Sequence, residues 1–176
     1  MNKKDYYWAK YMLIFGFFCI CFGTSIFLKT EHAPDEALRL IQNELFDVGA
    51  DLSTPLRDDP PWEPLRIVQP SIDRLEGWCD DYSAQVGKLE SFILPGGTET
   101  AAQLHVARTI VRRAGRMAWR ESGAHCLDFD GGLNQLALTY LNRVSDLLFL
   151  ASRVANRTVG DVLWVPVTDR APVEPR

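Results

Sequence analysis

Residues 92–116 read FILPGGTETAAQLHVARTIVRRAGR, and this stretch decides the fold. It opens on a Pro-Gly-Gly turn, after which neither proline nor glycine recurs until Gly115. Leu104, Ala107, Val111, Ala114 and Ala118 then repeat at alternating spacings of three and four, one apolar face of a helix. Thr98 or Thr100 supplies the oxygen that caps its first turn. Arg108, Arg112 and Arg116 stand four apart and form a second stripe, while Arg113 falls out of phase and reads as structural. A fixed positive stripe suits a polyphosphate, because the planar guanidinium stays charged and binds phosphate oxygens two at a time. A solvated basic helix face is the plainer alternative.

Moving toward the C-terminus, Leu133, Leu136, Tyr140, Val144, Leu147, Ala151 and Val154 line a second long helix. Its segment YLNRVSD, residues 140–146, places Asn142 and Asp146 on one face and sets Arg143 three residues from Asp146, close enough for a local ion pair. Moving toward the N-terminus, Ser71 caps a helix that turns Ile72, Leu75, Trp78 and Tyr82 inward. Pro34 opens another, in which Leu38, Ile41, Leu45, Val48 and Leu52 form the core stripe. Residues 53–70 hold Pro55, Pro60, Pro61, Pro64 and Pro70, so they cross the surface as a loop; residues 123–132 form another. No internal repeat is present. The reading is all-α: an antiparallel helical bundle over residues 30–167, a Pro-rich flexible tail over 168–176, and an apolar segment over 1–29 forming an extra N-terminal helix.

A chain of 176 residues with 47% hydrophobic side chains can bury a real core, and its net charge of -4 disfavours a nucleic-acid partner. The four cysteines read as reduced thiols: Cys19 and Cys21 sit in the apolar run, and Cys79 and Cys126 have no His or Cys partner at metal-ligand spacing. No protein-built metal site is expected. His105, on the arginine helix, reads as a buried hydrogen-bonded side chain, and His32 and His125 carry no signal.

Residues 11–28, with Tyr11 and Leu28 at the ends, lack any charge and are flanked by Lys10 and Lys29. As a helix the run would rise roughly 27 Å, just short of the ~30 Å hydrocarbon core of a bilayer. Its basic N-terminal flank would export the bundle. Three readings stay open: a misplaced start, a membrane anchor, or an apolar helix replacing a lost bundle helix. Phe15, Phe17, Phe18, Phe22 and Phe27 leave no polar face, which weighs against the third.

The blocks FILPGG, HVARTIVRRAGR and YLNRVSDLLFLASR together resemble the PduO-type ATP:cob(I)alamin adenosyltransferases, whose pattern is roughly FILPGG, LHxARxxxRRAER and YLNRLSDxLFxxAR. Order and spacing agree. The likeness extends back through LIQNELFDVGADL, residues 40–52, and forward to Trp164. The resemblance implies that Co(I) of a reduced corrinoid attacks the 5′ carbon of ATP, carried with Mg2+, and that triphosphate leaves. It also implies a homotrimer with sites between subunits and a cytoplasmic location, the alternative being an inner-membrane anchor through residues 11–28. Arg108 and Arg112 match the motif's ATP-side or subunit-bridging arginines and take the catalytic role. Asn142 matches its ATP-contacting amide. Arg116, Arg143 and Asp146 fall in the same substrate-binding motifs, and Phe92 matches an aromatic that crowds the lower face of the corrin. The alternative for Phe92 is ordinary core packing.

Two departures stand out. The family's Thr- and Gly-rich TKTGDxGxT segment and the helix RVxKxxxRVExYGxVDELN do not occur in the 176 residues, and Gly115 replaces the Glu of RRAER. Glycine-rich backbone amides that cradle phosphate have no substitute in an apolar helix, so impaired catalysis is expected. The alternative is a non-catalytic, truncated or membrane-tethered relic of the same bundle.

Overall fold

The computed structural model describes residues 35–124, 127, 128 and 130–170; the apolar run at 11–28, Pro34, His32, His125, Cys19, Cys21 and Cys126 lie outside the described residues. Four α-helices follow in order: α1 (Asp35–Leu52), α2 (Gln69–Ser83), α3 (Glu99–Ala124) and α4 (Gln135–Ala155), with a 3-10 turn at Val167–Asp169. Helix α4 is the hub, packing most extensively against α3, then α2, and more lightly against α1. Its buried face carries Ala137, Leu138, Tyr140, Leu141, Val144, Leu147, Leu148 and Ala151. The α1 stripe Leu38, Ile41, Leu45, Val48 and Leu52 is buried throughout. Each such aliphatic side chain contributes roughly 1.5–3 kcal/mol of transfer free energy.

Side-chain pairs fix the helix directions. Glu44 meets Tyr140 and Asp51 meets Asn134, so α1 runs against α4. Arg143 meets Glu76, and Arg153 reaches the Gly87 carbonyl just beyond α2, so α2 runs with α4. Arg108 meets Phe149 while Gly115 meets Leu141, so α3 runs against α4. The helices alternate up and down, as the all-α antiparallel bundle requires.

Buried polar groups tie the elements together. Asp51, 1% exposed, accepts hydrogen bonds from Arg66 Nη1 (2.5 Å), Ile67 N (2.8 Å) and Asn134 Nδ2 (2.6 Å), clamping the proline-rich loop to α1 and to the start of α4. Glu44 accepts from Tyr140 Oη at 2.7 Å and from Ser71 Oγ at 3.1 Å, and pairs with Arg74. Ser71 is therefore not a cap. Helix α2 begins at Gln69 behind Val68, which makes no capping bond, with Pro70 in the first turn where its missing N–H costs nothing. Asn134 caps α4, accepting from Leu136 N at 3.0 Å.

Candidate active site

The first part of the site is the turn that launches α3. Thr98 Oγ1 accepts from Ala101 N at 3.1 Å, so Thr98 rather than Thr100 caps the helix. Just past the end of α4, Asn156 holds the turn from behind: its Oδ1 accepts from Thr98 N at 2.9 Å and its Nδ2 donates to the Gly96 carbonyl at 3.0 Å. Gly97 adopts φ 97°, and a Cβ there would run into the Asn156 amide, so the second glycine is required twice over. Ahead of the turn, Leu94 N donates to Val162 O (2.8 Å) and Trp164 N to Phe92 O (2.7 Å), pairing the FILPGG segment with the returning chain. Phe92 is 78% exposed and meets Trp164 edge-on, ring centroids 6.2 Å apart. Core packing does not account for it.

The second part is a cleft of about 210 Å³ along the seam of α3 and α4, lined by Val111, Arg112, Gly115, Arg116, Trp119, Leu138, Leu141, Asn142 and Ser145. Three of the residues singled out from sequence, Arg112, Arg116 and Asn142, come together here. Arg66 pairs with Asp51, Arg74 with Glu44 and Arg153 with Asp161. Arg112 and Arg116, both exposed, have no ion-pair or hydrogen-bond partner among the described residues. Ser145 spends its hydroxyl on the Asn142 carbonyl at 2.7 Å, which leaves the Asn142 side-chain amide and the Trp119 indole N–H as neutral donors of the lining.

The other candidates sit around it. Arg108 lies over the Phe149 ring, 4.5 Å from its centroid; burial and then the Arg112 charge lower its pKa, and Asp146 opposes them. Arg143 bonds Asp146 at 3.2 Å as expected, and its Nε lies 3.5 Å from Glu76 Oε1 without hydrogen-bond alignment. With side chains about half exposed, these pairs contribute under ~1 kcal/mol. Arg143 reaches toward α2, and neither Arg143 nor Asp146 lines the cleft. His105 is buried as expected, edge-on to Phe149, yet its Nε2 has no hydrogen-bond partner, which corrects the expectation of a bonded histidine. Burial, then Arg108, lowers its pKa, with Asp161 opposing. Cys79 is a free thiol, pushed up to about 11 by burial first and by Asp146 next. Sequence reasoning passed over Trp119 and Ser145, although Trp119 stands seven residues after Arg112 on the same stripe, a spacing that could have found it.

In sequence and fold the chain is similar to known corrinoid adenosyltransferases. A family profile described as cobalamin adenosyltransferase matches residues 20–155. A corrinoid adenosyltransferase of Mycobacterium tuberculosis is 58% identical over 135 residues, which take in 77% of this chain and 67% of that protein. One from Bacillus subtilis is 40% identical over 129 residues, 71% of this chain and 61% of that protein. Among solved structures, a variant PduO-type ATP:corrinoid adenosyltransferase from Lactobacillus reuteri, complexed with cobalamin and ATP, is similar with a TM-score of 0.72 and 34% identity, covering 89% of this chain and 83% of that one.

Proposed function

The chain belongs to the cobalamin adenosyltransferase family, and on that premise we propose that it transfers the 5′-deoxyadenosyl group of ATP to cob(I)alamin, with the α3–α4 cleft holding the nucleotide. The reaction joins cobalt to C5′ as the C5′–O bond breaks and triphosphate departs. The nucleophile comes with the corrinoid, so the protein needs no activated Ser, Cys or His. Its work is to orient ATP and to neutralise charge gathering on the leaving oxygens. Arg112 and Arg116 offer two unpaired guanidiniums to those oxygens, and the Asn142 amide offers a neutral donor. Arg108 adds positive potential from one turn away. Arg143 and Asp146 brace α4 against α2 and so hold Asn142 in register.

In this reading the corrinoid lies beside Phe92, whose exposed ring projects from the segment that pairs with Trp164 and leads into the turn held by Asn156. An apolar face there disfavours a lower axial ligand on cobalt and eases its reduction. Mg2+ accompanying the triphosphate would draw its ligands mainly from nucleotide oxygens and water, as Mg2+ does on polyphosphates generally. A homotrimer with shared sites and a cytoplasmic location complete the reading. No helix among the described residues is long and apolar enough to cross a membrane.

The observation that carries the proposal is the pair of guanidiniums, unpaired among the described residues, beside the Asn142 amide in one cleft. Titration calorimetry with MgATP tests it. Charge-assisted bonds contribute ~1.5–3 kcal/mol, so Arg112→Ala weakens binding by at least ~10-fold. Arg120→Ala, exposed and outside the cleft, leaves it within about twofold. Equal losses in the two variants would identify a diffuse basic surface and sink the assignment.

A further inference from the structure

Arg112, Gly115 and Trp119 follow one another at spacings of three and four, so they form a single file along α3 facing α4. A side chain at the middle position would stand between the guanidinium and the indole. Glycine leaves that floor bare. Packing does not demand it: a Cβ at Gly115 would meet Leu141 Cβ at 3.8 Å, ordinary van der Waals contact, and φ is not in the left-handed region. Glycine is also the poorest residue after proline for a helix interior. The residue is therefore unexplained by the fold and explained by the opening it makes.

The cleft lining is of two unlike kinds. Trp119, 50% exposed, and the Leu138 and Leu141 side chains are apolar, while Arg112, Arg116 and Asn142 are cationic or polar. A ligand that satisfies both is an aromatic ring attached to an anion. At about 210 Å³ the space is smaller than the ~300–1,000 Å³ of pockets that enclose whole drug-sized ligands, so it seats a single planar ring system rather than a macrocycle. We propose that Trp119, uncovered by Gly115, is the residue that stacks the nucleobase of ATP, fixing which way the nucleotide lies along the seam, with its phosphates toward Arg112 and Arg116. This rests on the cleft being the ATP site. It adds a base-recognising, specificity-determining residue to what would otherwise be a phosphate site.

The test is calorimetric titration of the full 176-residue chain with MgATP and, separately, with inorganic triphosphate, which has phosphates and no base. Base–aromatic stacking predicts that Trp119→Ala weakens ATP about tenfold and leaves triphosphate unchanged, and that Trp119→Phe restores most of the loss. Gly115→Leu, which refills the floor without adding charge, should weaken ATP by a similar factor and spare triphosphate. Equal loss of both ligands in Trp119→Ala, or no loss of either, overturns the proposal. So does a change in sedimentation behaviour without a change in ATP affinity, which would make Trp119 a contact between copies. If Arg112→Ala weakens ATP and Trp119→Ala does not, the phosphate site stands and only the base assignment falls. If the wild-type chain binds neither ligand, both readings fail together.

Discussion

Replacing Asn156 with alanine should loosen the site without touching the cleft. The side chain is 1% exposed and makes three bonds to the launch turn of α3: from Thr98 N at 2.9 Å, from Thr98 Oγ1 at 3.2 Å and to Gly96 O at 3.0 Å. At about 1 kcal/mol net for each bond, Asn156→Ala costs about 3 kcal/mol. Water entering the vacated space returns some of that, so the expected range is ~2–3 kcal/mol, a large share of the ~5–15 kcal/mol that holds a domain folded. Urea unfolding followed by circular dichroism measures it, with an unchanged m-value showing that the transition remains cooperative. Hydrogen exchange locates it: the Leu94 and Trp164 amides, whose bonds to Val162 and Phe92 depend on the turn, should lose protection before amides in the middle of α4. Gly97→Ala supplies an internal check. Its Cβ runs into Asn156, so its cost should fall in the double variant, leaving only the penalty for φ 97°. A loss below about 1 kcal/mol, with exchange at Leu94 and Trp164 unaltered, would show that the turn stands without Asn156 and would refute the reasoning.

Three further outcomes are expected. His105 is buried with its Nε2 unpartnered, and burial and then Arg108 lower its pKa below the usual 6.5, so the unfolded chain takes up a proton there more readily than the folded one. The stability it contributes is fully present above pH 6.5 and is lost as pH falls from there through the lowered folded value; a thermal-melt series from pH 7.5 to about 5 should show this decline, flattened in His105→Phe. Gly115→Ala should raise stability by about 0.5–1 kcal/mol in urea unfolding, because the new methyl clears Leu141 and helix propensity improves; destabilisation would mean that the seam is tighter than 3.8 Å implies. With MgATP and chemically reduced cobalamin, the 176-residue chain by itself should form adenosylcobalamin at least ~100-fold more slowly than a homologue carrying the TGDxGxT segment, equivalent to ~2.7 kcal/mol of barrier. A comparable rate, read by the cobalamin absorbance change, would show that the segment is dispensable.

The helices and their inward faces were legible in the amino-acid order alone. Periodicity is local, and Leu38 to Leu52, Ile72 to Tyr82 and Leu104 to Ala118 needed only spacings of three and four to declare themselves. The sequence also located the polar candidates: Arg112, Arg116 and Asn142 were legible because motif order and helical phase both selected them. What the linear chain could not show was which candidates meet. Asn142, Arg143 and Asp146 lie within five positions on α4, yet only Asn142 lines the cleft, because a helix turns each residue by about 100° and the partner each one meets depends on which neighbour packs there. Ser71 looked like a cap and became a partner for Glu44, 27 residues away, since a long-range bond in a buried setting outweighed a local one. Asn156, Asp51 and Asn134 carried no pattern at all. Their importance comes from burial against unsatisfied backbone groups brought from distant parts of the chain, and only tertiary packing removes the water that would otherwise have made those bonds cheap to lose.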